Sequence, residues 1–180
     1  MARHEQLWAP WRLAYIAGVN AGAPATDVKP RTSDLKLPPG ADPNCFLCRG
    51  AAESDDRANL FVERTDLSVV VLNRFPYNNG HLLLAPTRHE GRLDRLSDAE
   101  QLDLQRLIAK YVATLERLIN AQGFNVGLNL GHVAGAGLPG HLHWHIVPRW
   151  SGDTNFMPAV TSVRVIPQAL DALWEMLRDG

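Results

Sequence analysis

The sequence predicts an α+β domain built on an antiparallel sheet. Three short strand-like segments follow one another in hairpin order, one long amphipathic segment comes next, and two further strand-like segments follow it. Strands grouped in this way, rather than alternating with helices, favour an antiparallel sheet over a parallel one. A length of 180 residues suits one domain with a tail.

Five segments have the apolar and β-branched composition of strands, and polar or glycine-containing stretches separate them. The clearest separators are the turn at 64–66 and the loop over 73–80, which contains proline and glycine. The predicted strands are residues 60–63, 67–72, 81–86, 124–130 and 142–147. A terminal strand is also expected over 160–166.

The long helix is predicted from a start signal and an apolar stripe. Ser97 and Glu100 have the spacing of a capping box, and apolar residues recur at helical spacing across 104–119. Gly123 is expected to end this helix. Pro167 suits the first turn of a short C-terminal helix over 167–178.

Charge and composition restrict the function classes. The net charge is −1, so no general basic field attracts nucleic acid, and any phosphate affinity must come from a local site. No run of about 18 apolar residues predicts a membrane span. We find no signal-peptide pattern at the N-terminus and therefore expect a cytoplasmic location. Residues 1–44 are expected to form an arm and a linker ahead of the domain at 45–180.

The segment before residue 150 carries three histidines at alternating positions: His141, His143 and His145. Alternating side chains share one face of a strand, while the intervening apolar residues face the other side and can pack on the helix. A preceding loop, 131–140, contains four glycines that allow the backbone to approach an anion. Three imidazoles on one face can ligate a metal, relay protons or include a nucleophile.

The alternation from His141 to Val147 reads His-φ-His-φ-His-φ-φ, where φ is apolar, and it resembles the signature of the histidine triad (HIT) family. Residues 71–86 are similar to the family's N-terminal half. Asn73 falls there on a ribose-contacting asparagine, and Gly80 and His81 fall on a glycine–histidine pair that begins a strand. The resemblance covers residues 58–150 and implies a HIT-like fold and a homodimer.

Further motifs resemble particular branches of the family. Asn-Arg-x-Pro at 73–76 and Pro-Arg at 148–149 are similar to the fragile histidine triad branch, which acts on dinucleoside polyphosphates. Leu-Trp-x-Pro-Trp-Arg at 7–12 and Phe-Asn-Val-Gly-Leu-Asn-Leu-Gly at 124–131 resemble bacterial diadenosine tetraphosphate phosphorylases. The resemblance implies an enzyme whose partners are a purine nucleotide or dinucleoside polyphosphate and inorganic phosphate.

The resemblance also assigns roles. His143 would attack the α-phosphorus and form a nucleotidyl-histidine, with His145 holding phosphate oxygens and His141 completing the catalytic set. A neutral imidazole is needed for attack, so we expect a backbone carbonyl of the neighbouring strand to bind its other nitrogen. The residues expected to bind nucleotide are Asn73, Asn129, Gly135, Gly137 and Trp150.

The loop at 134–138 departs from the family pattern because it lacks the glutamine that many hydrolytic members carry. Hydrolysis and phosphorolysis therefore both stay open, with phosphorolysis favoured. The alternatives are a non-catalytic purine-nucleotide-binding protein, a nucleoside phosphoramidase, and a metalloenzyme that uses the three histidines as zinc ligands.

A pair of cysteines, Cys45 and Cys48, has the C-x₂-C spacing of metal sites. The arrangement resembles that of galactose-1-phosphate uridylyltransferase and several bacterial HIT proteins, where a downstream histidine and the first triad histidine complete the site. The resemblance implies a structural zinc held by Cys45, Cys48, His89 and His141. Two free buried cysteines are the alternative, and no organic cofactor is expected.

Overall fold

The computed structural model describes residues 35–153 and 166–180 and contains an antiparallel sheet of five strands. Residues 61–64, 68–72, 82–86, 144–149 and 123–128 lie side by side in that order in the sheet, which confirms the predicted α+β fold class. Most of the predicted arm and nearly all of the predicted strand at 160–166 lie outside the described residues, so the domain boundary at residue 45 stays a prediction.

The elements follow the predicted order with shifted ends. The strands are β1 (Phe61–Arg64), β2 (Ser68–Leu72), β3 (Leu82–Pro86), β4 (Gly123–Leu128) and β5 (Trp144–Arg149). The helices are α1 (Phe46–Ala52), α2 (Asp56–Asn59), α3 (Asp98–Ile119) and α4 (Leu170–Asp179), and short 3₁₀ turns span Leu93–Arg95 and His132–Ala134. None of the described helices is long and apolar enough to cross a membrane.

Two predicted helix ends were wrong. The long helix α3 ends at Ile119 with Asn120 as its C-cap, whose φ of 51° is left-handed, and Gly123 instead begins β4. Asparagine adopts this conformation more readily than most residues, so it replaces glycine as the stop. The C-terminal helix begins at Leu170 with Ala169 as its N-cap, so Pro167 precedes the helix rather than occupying its first turn.

Helix α3 packs on one face of the sheet. Its predicted capping box is present, with Ser97 accepting from the amide of Glu100 and Glu100 accepting from the amide of Ser97. At the far end of the helix, a Cβ on Gly80 would lie 2.7 Å from Ile119 Cδ1, and Gly80 has a φ of +74°. Glycine is therefore required where the loop before β3 passes under α3.

The opposite face of the sheet carries the third histidine. Strand register pairs His145 with Leu83, Leu83 with Val71 and Val71 with Phe61, so these residues project from one face. Helix α1 covers the Phe61 end of that face, with the phenyl ring in contact with Gly50. The His145 end of this face lies beyond α1 and belongs to the candidate active site.

Candidate active site and metal centre

The first two triad histidines do not lie on a strand. Strand β5 begins only at Trp144. The amide of Leu142 donates to the carbonyl of Glu90 at 2.7 Å, and the amide of His141 donates to Leu138 at 3.3 Å. The predicted strand start at residue 142 was therefore wrong, because the loop at 88–91 takes the backbone bond that a sheet neighbour would otherwise make.

His143 is held in one tautomer. Its Nδ1 atom lies 2.8 Å from the carbonyl oxygen of His141. A carbonyl only accepts, so Nδ1 carries the proton and donates it, and Nε2 keeps its lone pair. Within the described residues Nε2 has no hydrogen-bond partner. The expected carbonyl is present, but it belongs to the residue two positions earlier and not to a neighbouring strand.

His145 is held in the opposite tautomer by His81. The backbone amide of Tyr77 donates to Nδ1 of His81 at 3.0 Å, so the proton of His81 lies on Nε2. That Nε2 lies 2.9 Å from Nδ1 of His145 and donates to it, which puts the proton of His145 on its own Nε2. The Nε2 atom of His145 is buried and has no partner among the described residues.

These two tautomers produce complementary groups side by side. The rings of His143 and His145 have centroids 5.1 Å apart. One ring offers a lone pair and its neighbour offers a buried N–H. Burial, followed by the charge of nearby His143, lowers the pKa of His145 to about 4, so this ring is neutral at physiological pH. A nucleophile beside a hydrogen-bond donor suits attack on a phosphate.

His81 was noted in the sequence only as part of a glycine–histidine pair and was not included among the site residues. It is fully buried. The register that pairs Leu83 with His145 brings it to the triad. Asn73 contributes to the same network, since its Nδ2 lies 3.1 Å from Nδ1 of His81. The sequence signal was present, but the contact depends on strand pairing that spacing alone does not specify.

The glycine-rich loop at 131–140 immediately precedes the triad in sequence, and several of its polar groups bond within the loop. Asn129 donates from Nδ2 to the carbonyl of Gly135 at 3.5 Å, which brings two of the predicted nucleotide-binding residues together. The amides of Gly135 and Ala136 donate to His132 and Gly131 within the loop. Gly137 makes no such bond among the described residues, so an amide available to a phosphate would come from Gly137 onward.

Trp150 lies away from the rings of His143 and His145, at the end of α3. Its indole N–H donates to the carbonyl of Asn120 at 2.8 Å, at the C-terminal end of α3. Five residues along a strand separate it from His145, a distance of about 16 Å. The contact gives Trp150 a part in ending the helix, and its role in binding a base stays a prediction.

Four predicted metal ligands converge in the interior. Sγ of Cys45 lies 3.3 Å from Nδ1 of His141, and Sγ of Cys48 lies 3.3 Å from Nδ1 of His89. The four ligand atoms all lie within 4.8 Å of one another. Cys45 caps the N-terminus of α1, His89 follows β3 and His141 precedes β5, so three separate parts of the chain meet here.

The chemistry of this cluster fits a metal. Nε2 of His141 lies 2.9 Å from the carbonyl of Pro86 and donates to it, which leaves the Nδ1 lone pair directed at the cysteines. Burial raises the pKa of the Cys45 thiol to about 12, so without a metal the proton stays on sulfur. Cys45, Cys48, His89 and His141 could hold a metal ion.

More than half of the chain matches one known protein family. Residues 55–152 match the HIT domain. The chain belongs to the HIT family. Cys45 and Cys48 precede the matched residues, so two of the four side chains that could hold a metal ion in this HIT protein come from outside the matched domain.

Relatives and solved structures agree with this assignment. The AP-4-A phosphorylase of Mycobacterium tuberculosis is 36% identical over 167 residues, which cover 92% of this chain and 78% of that protein. The NitFhit protein of Caenorhabditis elegans has a TM-score of 0.55 and 30% identity over 66% of this chain and 26% of that longer chain. A zinc-bound HIT protein from Mycobacterium smegmatis has a TM-score of 0.55 and 21% identity over 67% of this chain and 81% of that one.

Proposed function

We propose that this HIT protein cleaves dinucleoside polyphosphates such as diadenosine tetraphosphate through a nucleotidyl-histidine at His143. The observation that carries the proposal is the bond from Nδ1 of His143 to the carbonyl of His141, which leaves Nε2 as a nucleophile. A relative named AP-4-A phosphorylase, similar over 92% of the chain, supports the substrate class.

In the first step, the lone pair on Nε2 of His143 forms a bond to the α-phosphorus. The bond from that phosphorus to the bridging oxygen breaks, and the leaving polyphosphate takes the electron pair. His143 keeps its Nδ1 proton and becomes positively charged, which strengthens the bond to the His141 carbonyl. The N–H of His145 donates to a phosphate oxygen and stabilises the charge that develops there.

In the second step, an acceptor oxygen attacks the same phosphorus and the bond to Nε2 of His143 breaks. Inorganic phosphate as acceptor converts diadenosine tetraphosphate to ADP and ATP, whereas water gives AMP and ATP. We favour phosphate because the loop at 134–138 lacks a glutamine side chain to orient water. Splitting one displacement into two lowers the barrier for either acceptor.

The nucleotide itself would be bound by the remaining predicted residues. We propose that Asn73 contacts the ribose, that Asn129 and the loop residues Gly135 and Gly137 contact the phosphates, and that Trp150 contacts a base. The bond between Asn129 and Gly135 supports a shared role for the side chain and the loop. Both ring nitrogens of His141 face protein groups, so its contribution is to position neighbouring atoms.

We further propose that the metal is a structural zinc. Two cysteines and two histidines form a common tetrahedral zinc ligand set, and the donated proton on Nε2 of His141 is the usual outer support of such a ligand. When bound, zinc would supply no reaction step and would join α1, the end of β3 and the segment before β5. The two free cysteines agree with a reducing, cytoplasmic location.

A homodimer is the proposed assembly. Strand β4 is an edge strand, and the apolar side chains of Val126 and Leu130 are 45% and 49% exposed. An edge with exposed apolar side chains favours association with a second copy. Sedimentation of the chain should give a dimer, and Val126→Asp should give a monomer. A monomeric wild-type chain would contradict this part of the proposal.

Product analysis tests the reaction. The wild-type chain and His143→Ala are incubated with diadenosine tetraphosphate, with and without inorganic phosphate, and the nucleotides are separated by chromatography. We expect ADP and ATP from the wild type only with phosphate, and no turnover by His143→Ala with an unchanged circular dichroism spectrum. Arg106→Ala, an exposed change on α3, is the control. Turnover by His143→Ala would reject the mechanism.

A further inference from the structure

His141 belongs to two parts of the site at once. Its imidazole Nδ1 lies 3.3 Å from Sγ of Cys45, in the metal centre. Its carbonyl oxygen lies 2.8 Å from Nδ1 of His143, where it determines which nitrogen of His143 carries the proton. The ring and the carbonyl of one buried residue therefore connect the metal centre to the nucleophile.

The backbone that carries this carbonyl is held by a loop rather than by the sheet. The amide of Leu142 donates to Glu90 at 2.7 Å. A Cβ on Gly140 would lie 3.2 Å from Nε2 of His89, and a Cβ on Gly91 would lie 2.8 Å from the carbonyl of Pro139. Residues 139–142 therefore pack tightly on 89–91, and His89 is itself one of the four metal-facing residues.

We propose that the metal centre positions the nucleophile, because a metal joining His89 and His141 fixes the carbonyl that holds the proton of His143 on Nδ1. This inference rests on the proposed function. It assigns the metal a part in maintaining the reactive tautomer, beyond joining elements of the fold. His141 is then a positioning residue that acts on the reaction through its backbone.

The metal matters to His143 because few contacts hold the His141 ring when no metal is bound. Without a metal, the His141 ring keeps its bond to the Pro86 carbonyl and weak contacts from Nδ1 to the sulfur atoms of Cys45 and Cys48, at 3.3 and 3.6 Å. The bond from the Leu142 amide to Glu90 still joins the two loops, but no metal then fixes the His141 ring relative to His89. A neutral imidazole can carry its proton on either nitrogen, and the acceptor at Nδ1 selects one. Once that acceptor moves, His143 distributes its proton over both nitrogens. The form with the proton on Nε2 has no lone pair there to attack phosphorus.

His145 provides an internal control for this effect. Its tautomer is fixed by His81, whose own proton is placed by the amide of Tyr77. Among the described residues, none of these three is a metal-facing side chain. Removing the metal should therefore change His143 and leave His145 in its single tautomer, whereas unfolding would change both.

The test is a ¹⁵N NMR measurement of the histidine tautomers in the full chain, loaded with zinc and after removal of zinc by a chelator under reducing conditions. Spectra of His143→Asn and His145→Asn assign the two rings. We expect one Nδ1–H tautomer for His143 with zinc and a mixture without it, with His145 unchanged. A single unchanged tautomer of His143 in the folded, metal-free chain would overturn the proposal.

Exchange of zinc for cadmium, which makes longer bonds, gives the measurement if the metal-free chain unfolds. The ¹⁵N shifts of His143 should then differ between the two metals while those of His145 coincide, and identical His143 shifts would overturn the proposal.

The kcat of the metal-free chain should fall about tenfold or more, as for other losses of support around a site, with little change in KM. Neither spectrum needs a substrate, so failure of the proposed reaction in the His143→Ala experiment is distinguishable from failure here.

Discussion

The Nε2 atom of His81 lies 2.9 Å from the Nδ1 atom of His145 and donates its proton to it. Because the amide of Tyr77 donates to the other nitrogen of His81, this direction is the one that satisfies both contacts. This contact puts the proton of His145 on its Nε2 atom, which has no partner among the described residues. In the proposed reaction, this buried donor binds a phosphate oxygen.

Replacing His81 tests this arrangement. We expect His81→Leu to reduce kcat by about 10- to 100-fold with a smaller change in KM, because the donor on His145 loses its fixed direction. His81→Gln retains an N–H donor and should recover part of the loss. The ¹⁵N spectrum of His145 should show one tautomer in the wild type and two in His81→Leu. Equal activity of the two variants would contradict a role in positioning.

The acid titration of His145 gives a second prediction. Burial lowers its pKa from the ordinary 6.5 to about 4. Protonation is therefore easier in the unfolded chain, and this group's contribution to stability is present above pH 6.5 and is lost as the pH falls from about 6.5 to about 4. A ¹H–¹⁵N titration should find the ring neutral at pH 6, and a midpoint near 6.5 would contradict the burial described.

Glu100 provides a test of stability away from the site. Its hydrogen bond from Arg88 lowers its pKa from 4.5 to about 2, so the stabilisation is present above pH 4.5 and is lost as the pH falls towards 2. Glu100→Gln keeps a capping-box side chain but loses the charge. The free energy of unfolding at pH 7 should fall by about 1–3 kcal/mol, measured by urea denaturation.

The control for this prediction is Asp98→Asn, an exposed carboxylate in the same helical turn. It removes a similar charge near the helix N-terminus and should cost less than about 1 kcal/mol. Equal losses in the two variants would show that the helix dipole, and not the Arg88 contact, accounts for the effect.

The regular elements were predictable because their signals are local. The capping box at Ser97 and Glu100 and the strand periodicities follow from residues close in sequence, and the predicted family and fold class are confirmed. The C-cap of α3 at Asn120 was not predictable in this way, because asparagine and glycine both adopt the left-handed conformation. The bond from the indole N–H of Trp150 to the carbonyl of Asn120 also comes from a residue 30 positions away.

The site was less predictable because it depends on tertiary contacts. The alternating histidines suggested one continuous strand, yet the amide of Leu142 donates to the carbonyl of Glu90 instead of to a sheet neighbour, and the His141 ring faces the cysteines. Residues 48 and 89 are 41 positions apart, so their meeting was implied only by resemblance to other proteins. The contact between His81 and His145 likewise depends on the pairing of β3 with β5.

The proposed reaction requires that Nε2 of His143 becomes bonded to the substrate phosphorus during turnover. The most direct measurement is mass spectrometry of the chain after rapid denaturation during turnover of diadenosine tetraphosphate, at alkaline pH, where a phosphorus–nitrogen bond survives. We predict a mass increase of one adenylyl group on the peptide containing His143, lost on acidification and absent from His143→Ala. An active chain with no adduct, or with the adduct on another residue, would exclude His143 as the nucleophile.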